Sequence, residues 1–592
     1  MTKLAERDDV AEAPPGGRPG RDWRADLAVL AVCVAGALYL TFGMWLDPNH
    51  RVVAHNQGDQ ALFEWLLSYA AYAPAHGADP WWTTLLNTPM GANLAVNTSM
   101  VVVGGLLAPV TLTLGAPVSF LVVLTLNLIL TPYAWYHVLS RHVTRTRPAA
   151  VLGGLFCGYA PGMVSHANGH LNFTAQFLVP FLALGVLRLR EPGRAVRRGL
   201  VLGLLVAVAY SIGAELLFFA ALASAVFVLA WAAMNRAEAR AAAPTFLRGL
   251  AVAAGVAVVL LAYPLYLQFA GPQRYHGIGF DQRVHSEDLE AFGALPYLAP
   301  GRPFGLWARL APNLSEETTF FGPLLLILVV ICFAVLWRRT VVRALAVTAV
   351  VFAVIALGPR LLVGGQRTTL MLPYAAVARL PVFDSALPAR FALMLIPIVG
   401  IVLAFALDRA LELPWRRRRG WIVAFGVALL PIVPLTIPAA PRDPVPHFFS
   451  AGTWRQYVHS GQTLVPVPPA SDLLPDGQRW QAAAHFGFAI PAGFFLGPGP
   501  DGRSQIGPIQ RPTYEMLMLV ARFGWEPVIN EYDRRQAQAD LAYWHATVVV
   551  LSDGGRGSDW TPNQGTLLKV TTDLLGPPVR VDDVWVWRVS PG

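Results

Sequence analysis

The stretch LAVLAVCVAGALYLTFGMWL, residues 27–46, decides the fold. It carries no charge and has the roughly 20 residues that an α-helix needs to cross a bilayer core. Arg21 and Arg24 precede it and Asp47 follows. It is too long for a signal-peptide core and lacks a small-residue cleavage site, so it reads as an uncleaved anchor with its start in the cytoplasm.

The rest of the chain extends that reading. Of 592 residues, 55% are hydrophobic and 14% charged, and the mean hydropathy is +0.48. A soluble domain cannot bury so much apolar surface. The expected class is mainly α, a polytopic membrane protein with about eleven transmembrane helices. Cys33, Cys157 and Cys332 all fall in hydrophobic segments and read as small buried side chains rather than disulfide partners or zinc ligands. Lys3 and Lys569 are the only lysines, so the basic charge is almost all arginine.

Arginine accumulates in cytoplasmic loops. Arg141 to Arg147, Arg188 to Arg198, Arg236 to Arg248, Arg338 to Arg343 and Arg416 to Arg419 therefore mark the inner side. Between Asp47 outside and Arg141 inside the number of crossings must be odd. Met100 to Leu114 is short and holds Gly104-Gly105 and Pro109, so it is placed at the outer interface, and Val118 to Leu139 crosses. Further crossings fall near 149–165, 172–188, 199–213, 215–234, 249–268, 321–337, 343–357, 391–411 and 421–437.

The expected organisation is a disordered cytoplasmic tail over 1–26, a membrane domain over 27–437 and an extracytoplasmic, periplasmic α/β domain over 438–592. Long outer loops occupy 47–117, 269–320 and 358–390, whereas the inner loops are short and basic. In the terminal domain Thr463 to Val467, Thr547 to Leu551 and Val584 to Val589 are strand-like, and Thr513 to Phe523 and Glu531 to Trp544 have helical spacing. An accessory or acceptor-binding role and plain structural support both fit it. The expected location is the cytoplasmic (inner) membrane.

Long loops are tolerated when they work. The first holds His55, Asp59 and Asp79 among Trp81, Trp82 and other aromatics. A carboxylate there can deprotonate a hydroxyl, and aromatic rings suit a sugar face or the headgroup belt. Asp59 in Gly58-Asp59-Gln60 reads as a base or as a helix cap, and Asp79 before Pro80 as a second acid or a turn starter. His166 and His170, with Asn172, lie in a tight turn between two helices. On one helical face the two histidines would suit a metal or a phosphate; in a turn they would satisfy it.

Glu215 lies in a turn between apolar segments and needs a partner, either an outer arginine or a substrate. Glu316-Glu317 runs into a helix, where a carboxylate favours the helix dipole or faces the cavity of Asp59, with Glu317 the candidate second acid. Arg274, Arg283, Arg302, Arg360, Arg367 and Arg390 break the charge rule by lying outside. Arg390 is the first choice for a phosphate ligand, Arg274 a further one, with headgroup or carboxylate pairing the alternative.

These residues resemble a known family. Asp59 after the first helix, Asn93-Leu94 to Asn97-Thr98-Ser99, His166 to Asn172, Glu317 to Gly322 and Leu387-Pro388-Ala389-Arg390-Phe391 look like the layout of GT-C-fold bacterial membrane glycosyltransferases. The likeness is to the YfhO-type proteins that glycosylate envelope polymers, and covers 27 to 437. It implies a GT-C-like membrane domain and a sugar donor on polyprenyl phosphate. The acceptor would be an envelope glycan or lipid, the reaction an inverting displacement, and Asp59 the base. Asp79, twenty residues on, does not reproduce the family's paired acid. A divalent cation stays an open option, and no nucleic-acid partner is expected. The competing readings are a transporter or flippase of lipid-linked sugars and a non-catalytic scaffold for envelope assembly.

Overall fold

The computed structural model describes residues 22–98, 100–279, 284–304, 310–555 and 560–589. Most of the expected tail, Ser99 and Arg283 lie outside the described residues. Among those described, six helices are long and apolar enough to cross a membrane: Trp23–Trp45, Ala116–Val143, Leu171–Arg188, Ala214–Met234, Arg236–Phe269 and Pro388–Leu411. Pro323–Leu336 and Thr340–Ala356 are shorter apolar helices. Arg147–Tyr159, Ala195–Tyr210 and Trp415–Leu429 overlap the remaining expected segments 149–165, 199–213 and 421–437, each starting and ending earlier than expected. Length and composition carry six crossings; a total of eleven rests on charge parity alone.

Local chemistry explains the differences. The expected 149–165 helix breaks at Ala160, whose backbone is extended (ψ 156°) ahead of Pro161, as a residue before proline prefers. Met100 to Leu114 forms two helices, Val101–Leu106 and Ala108–Leu114, each too short to span. A Cβ on Gly104 would lie 2.6 Å from that of Ala70, so this pair packs tightly on the Gln57–His76 helix. The small residues Gly199 and Gly203 serve contacts within the chain, with Gly249 and Ala253 of the long Arg236–Phe269 helix.

Pro388–Leu411 is the central helix. Its most apolar stretch is 89% buried, against 22% for Ala214–Met234 and for Arg236–Phe269, which present most of their surface outward. Phe391 is fully buried, with the rings of Phe219, Phe352, Tyr374 and Phe383 between 4.4 and 6.1 Å from it. Arg390 therefore stands on a rigid support.

In the terminal region every expected strand and helix forms within a residue or two of its expected ends. Val579–Val581, Val584–Arg588, Ala546–Ser552 and Thr463–Val467 make a four-stranded sheet in that order, antiparallel except for the last pair. Helices Pro512–Phe523 and Glu531–Tyr543 pack on it through Leu517, Val520, Ala537 and Leu541.

The terminal region grips the first long loop. Arg51–Val53 pairs antiparallel with Ala439–Pro441. Arg442 makes a buried salt bridge to Glu64 at 2.9 Å, and Trp65 Nε1 donates to Gln481 Oε1 at 2.7 Å. The Gln57–His76 helix is thus held from both sides, with its first turn bearing Asp59.

Candidate active site

Two backbone features bring Asp59 to its partner. Gly58 admits the terminal region, since a Cβ there would lie 2.2 Å from the carbonyl oxygen of Asp472. Gly169, with φ +109°, lets the turn after the Pro161–His166 helix close against Asn56. His170 Nε2 consequently reaches Asp59 Oδ2 at 3.1 Å. His166 Nδ1 lies 2.9 Å from His170 Nδ1.

Beside this chain stands an ionic cluster. Arg390 Nη2 and Nε donate to Glu316 Oε1 at 2.6 and 3.1 Å, and Nη1 donates to Glu215 Oε2 at 3.2 Å. The guanidinium lies 4.7 Å from the centre of the Phe173 ring. The partner that Glu215 needs is therefore an arginine, the one also picked as a phosphate ligand. Its fork is committed to carboxylates.

Electrostatics sharpen the roles. Burial works to raise the Asp59 pKa, but the charge of His170, hydrogen bonds from His170 and Asn56 and the charge of Arg390 outweigh it, so the carboxyl titrates below its ordinary value. Asp59 keeps 22% of its side chain exposed, enough for a substrate to touch. Burial also works to raise Glu316, and the charge of Arg390, with those that His166 and His170 carry when protonated, holds it well below the usual range instead. Burial pushes His166 down to about 3, so its imidazole is neutral at physiological pH. Its Nε2 has no hydrogen-bond partner among the described residues.

The other sequence candidates distribute unevenly. Glu317 turns away from Arg390, accepting the backbone N–H of Tyr297 at 2.9 Å. Burial raises its pKa to about 7 against that bond and the charge of Arg302. His55 meets the same Tyr297 edge-on at 5.8 Å, with Arg302 over the ring at 3.6 Å. Asn172 is buried against Gly213 with its Oδ1 unpartnered among the described residues. Asp79 lies past the far end of the Gln57–His76 helix, about 25 Å along the chain axis from Asp59. There it caps a turn through the N–H of Trp81 at 2.8 Å and binds the Tyr263 hydroxyl. Trp81 approaches Tyr210, and Trp82 pairs with Asn93 in a two-stranded ribbon. Arg274 is bonded to the Ala270 carbonyl.

Sequence reasoning gave the second acid to Glu317, yet Glu316 joins the cluster. It also missed Glu287, buried and bonded to the Thr319 hydroxyl at 2.8 Å. Burial, against that bond, and then the charges of Glu316, Asp288 and Glu317 raise Glu287 well above the usual range. Adjacent glutamates present opposite directions, and nothing in the sequence says which faces the site.

His166, His170 and Glu316 offer ligand atoms all within 4.8 Å of one another. Two imidazoles and a carboxylate suit a borderline divalent cation, and a 2.9 Å nitrogen separation suits neighbouring ligands on one ion. The unpartnered His166 Nε2 marks the same histidine as under-satisfied.

No protein-family model and no curated protein matches the chain. Among solved structures, the arabinofuranosyltransferase AftD from Mycobacteria superposes with a TM-score of 0.51 at 13% identity, covering 96% of this chain and 42% of AftD. The two share a fold. The archaeal oligosaccharyltransferase AglB from Archaeoglobus fulgidus, solved with an inhibitory peptide and a dolichol-phosphate, gives a TM-score of 0.48 at 13% identity over 89% of this chain and 69% of AglB. This chain thus spans less than half the length of AftD, and the likeness to that protein extends to fold alone.

Proposed function

We propose that the protein is a membrane glycosyltransferase of the GT-C type. It moves a sugar from a polyprenyl-phosphate donor to an envelope glycan or lipid on the outer face of the cytoplasmic membrane, in the manner of the YfhO-type proteins it resembles. The observation that carries the reading is the contact of the partly exposed Asp59 with His170 beside the Arg390–Glu316–Glu215 cluster. A partly exposed carboxylate fixed by a buried partner is what a general base requires.

Asp59 takes the proton of an acceptor hydroxyl, and the freed oxygen attacks the anomeric carbon. The bond from that carbon to the lipid phosphate breaks, and the phosphate leaves with its electron pair. His170 holds the Asp59 carboxylate in place through Oδ2. The cluster is rich in negative charge, with Asp59, Glu316 and Glu215 around one guanidinium, so it favours the positive charge that develops at the anomeric centre. The same excess repels a phosphate. A divalent cation held by His166, His170 and Glu316 would supply the charge neutralisation a departing phosphate needs.

The test is transfer of radiolabelled sugar from polyprenyl-phosphate donors by membranes containing wild type or Asp59→Asn. Asp59→Asn is expected to lose transfer by roughly 10²–10⁴-fold. Normal transfer by the folded variant removes Asp59 as the base, and lipid translocation without transfer replaces the enzyme with a flippase.

A further inference from the structure

A cavity of about 330 Å³ opens where the terminal region meets the two longest loops of the membrane domain, and it shares no lining residue with the Asp59 network. We infer that this cavity, walled by Tyr514, Tyr543 and Trp544 and edged by Arg511, Asn87 and Gln273, binds one or two sugar residues of a glycan chain. That this glycan is the acceptor rests on the transferase reading above; that it binds does not.

The size is at the lower end of the roughly 300–1,000 Å³ of small-ligand sites. That is room for a ring or two, not for a folded partner. The chemistry of the wall narrows the class further. Arg511 Nε donates to Asp540 at 2.6 Å, and Asp540 is fully buried. The charge of the arginine is compensated from beneath, so the cavity has no net pull on an anion. Its guanidinium lies 4.2 Å from the centre of the Tyr543 ring, which fixes its plane. Nη1 and Nη2 have no hydrogen-bond partner among the described residues and offer coplanar donors suited to adjacent hydroxyls. Aromatic faces take the C–H side of a sugar ring, whereas amides give and accept hydrogen bonds at its edge; Gln273 is the amide for that edge, since Asn87 is buried and its Nδ2 already donates to the Gly91 carbonyl at 2.7 Å.

Two of those amides sit on strained backbone. Asn87 has φ +60° and Gln273 φ +52°, both in the left-handed region. Asparagine tolerates it; glutamine rarely adopts it, so the surroundings must hold Gln273 there. Both residues come from the membrane domain's loops and both line the cavity, opposite the aromatic wall of the terminal region. The seam between the two parts is therefore the binding surface, and it gives the terminal region a task beyond support.

The experiment measures binding of short soluble oligosaccharides of mannose, arabinose, glucose and N-acetylglucosamine to the full-length protein in detergent, by saturation-transfer NMR, with a proline-rich peptide as control. At least one sugar series is expected to bind. Tyr543→Ala should weaken it by roughly tenfold, and Met90→Trp, which fills the mouth from a side chain 52% exposed, should abolish it. Asp59→Asn should bind as wild type does, so that loss of transfer and loss of glycan binding are read separately. Absence of binding by every series, binding untouched by both cavity variants, or binding of the peptide in place of sugar overturns the inference.

Discussion

Asp59 Oδ2 and His170 Nε2 lie 3.1 Å apart across 111 residues of sequence. The contact joins the first turn of a helix gripped by the terminal region to a turn that ends a broken helix of the bundle. It is a relation between two separately supported elements, so its geometry reports on how they seat against each other. A change in either support is expected to reach the carboxylate.

The pair sets the pKa of Asp59, and the sign of its loss is fixed. His170 lowers that pKa both by its charge and by its hydrogen bond. His170→Gln removes the charge, so the pKa of Asp59 rises and the acid limb of the transfer rate against pH moves to higher pH. The carboxylate is then deprotonated over a narrower range. Stationary limbs in the variant would detach His170 from Asp59.

Gly58 is a second lever on the same carboxylate. Gly58→Ala places a methyl 2.2 Å from the Asp472 carbonyl oxygen, which is backbone and cannot swing aside. The helix start or the 472 loop must move. Overpacking of this kind costs about 1–3 kcal/mol, and here the displaced residue is next to the base. Transfer should fall by more than thermal stability does, read as kcat against the midpoint of unfolding in detergent.

Much of this architecture is legible in the sequence, and the boundary of legibility is physical. Period and apolar length reveal the spans and the terminal strands because those signals are local. Gly58-Asp59-Gln60 and the His166 to Asn172 turn stand out because polar groups beside apolar segments are costly without partners. What stays hidden is pairing. Glu215 demands a cation, but only the fold chooses Arg390 and then fills the rest of that fork with Glu316. Asp79 sits close to Asp59 in sequence and is carried away by the length of the helix between them. The Arg442–Glu64 bridge joins residues 378 apart, with no local trace of either partner.

Glu317 gives a stability prediction with a definite direction. Its pKa in the folded protein is raised to about 7 from 4.5. Folding therefore favours the protonated form. The stability it contributes is fully present below about pH 4.5 and is lost as pH rises through about 7, by about 3 kcal/mol in all. Glu317→Gln mimics the protonated acid. The variant should match wild type at pH 4.5 and exceed it at pH 8 in thermal unfolding. An advantage that does not grow between those values would remove the burial account.

The terminal region's hold on the Asp59 helix is testable at its buried bridge. Arg442 and Glu64 each expose 4% of their side chains, and Arg442 also donates to the Asn49 carbonyl. Gln60 ties the same carboxylate back toward Asp59, donating to Glu64 Oε1 at 2.8 Å. Arg442→Met leaves Glu64 charged and buried without a partner, which costs about 3–5 kcal/mol. Arg442→Met with Glu64→Leu removes both charges and should recover most of that stability, since an apolar pair of similar volume often replaces a buried ion pair at no loss. If the bridge merely stabilises, the double variant regains transfer together with its unfolding midpoint. If it also orients the first turn of the helix, stability returns while kcat stays low, because Gln60 has lost the carboxylate that anchors it one residue from the base.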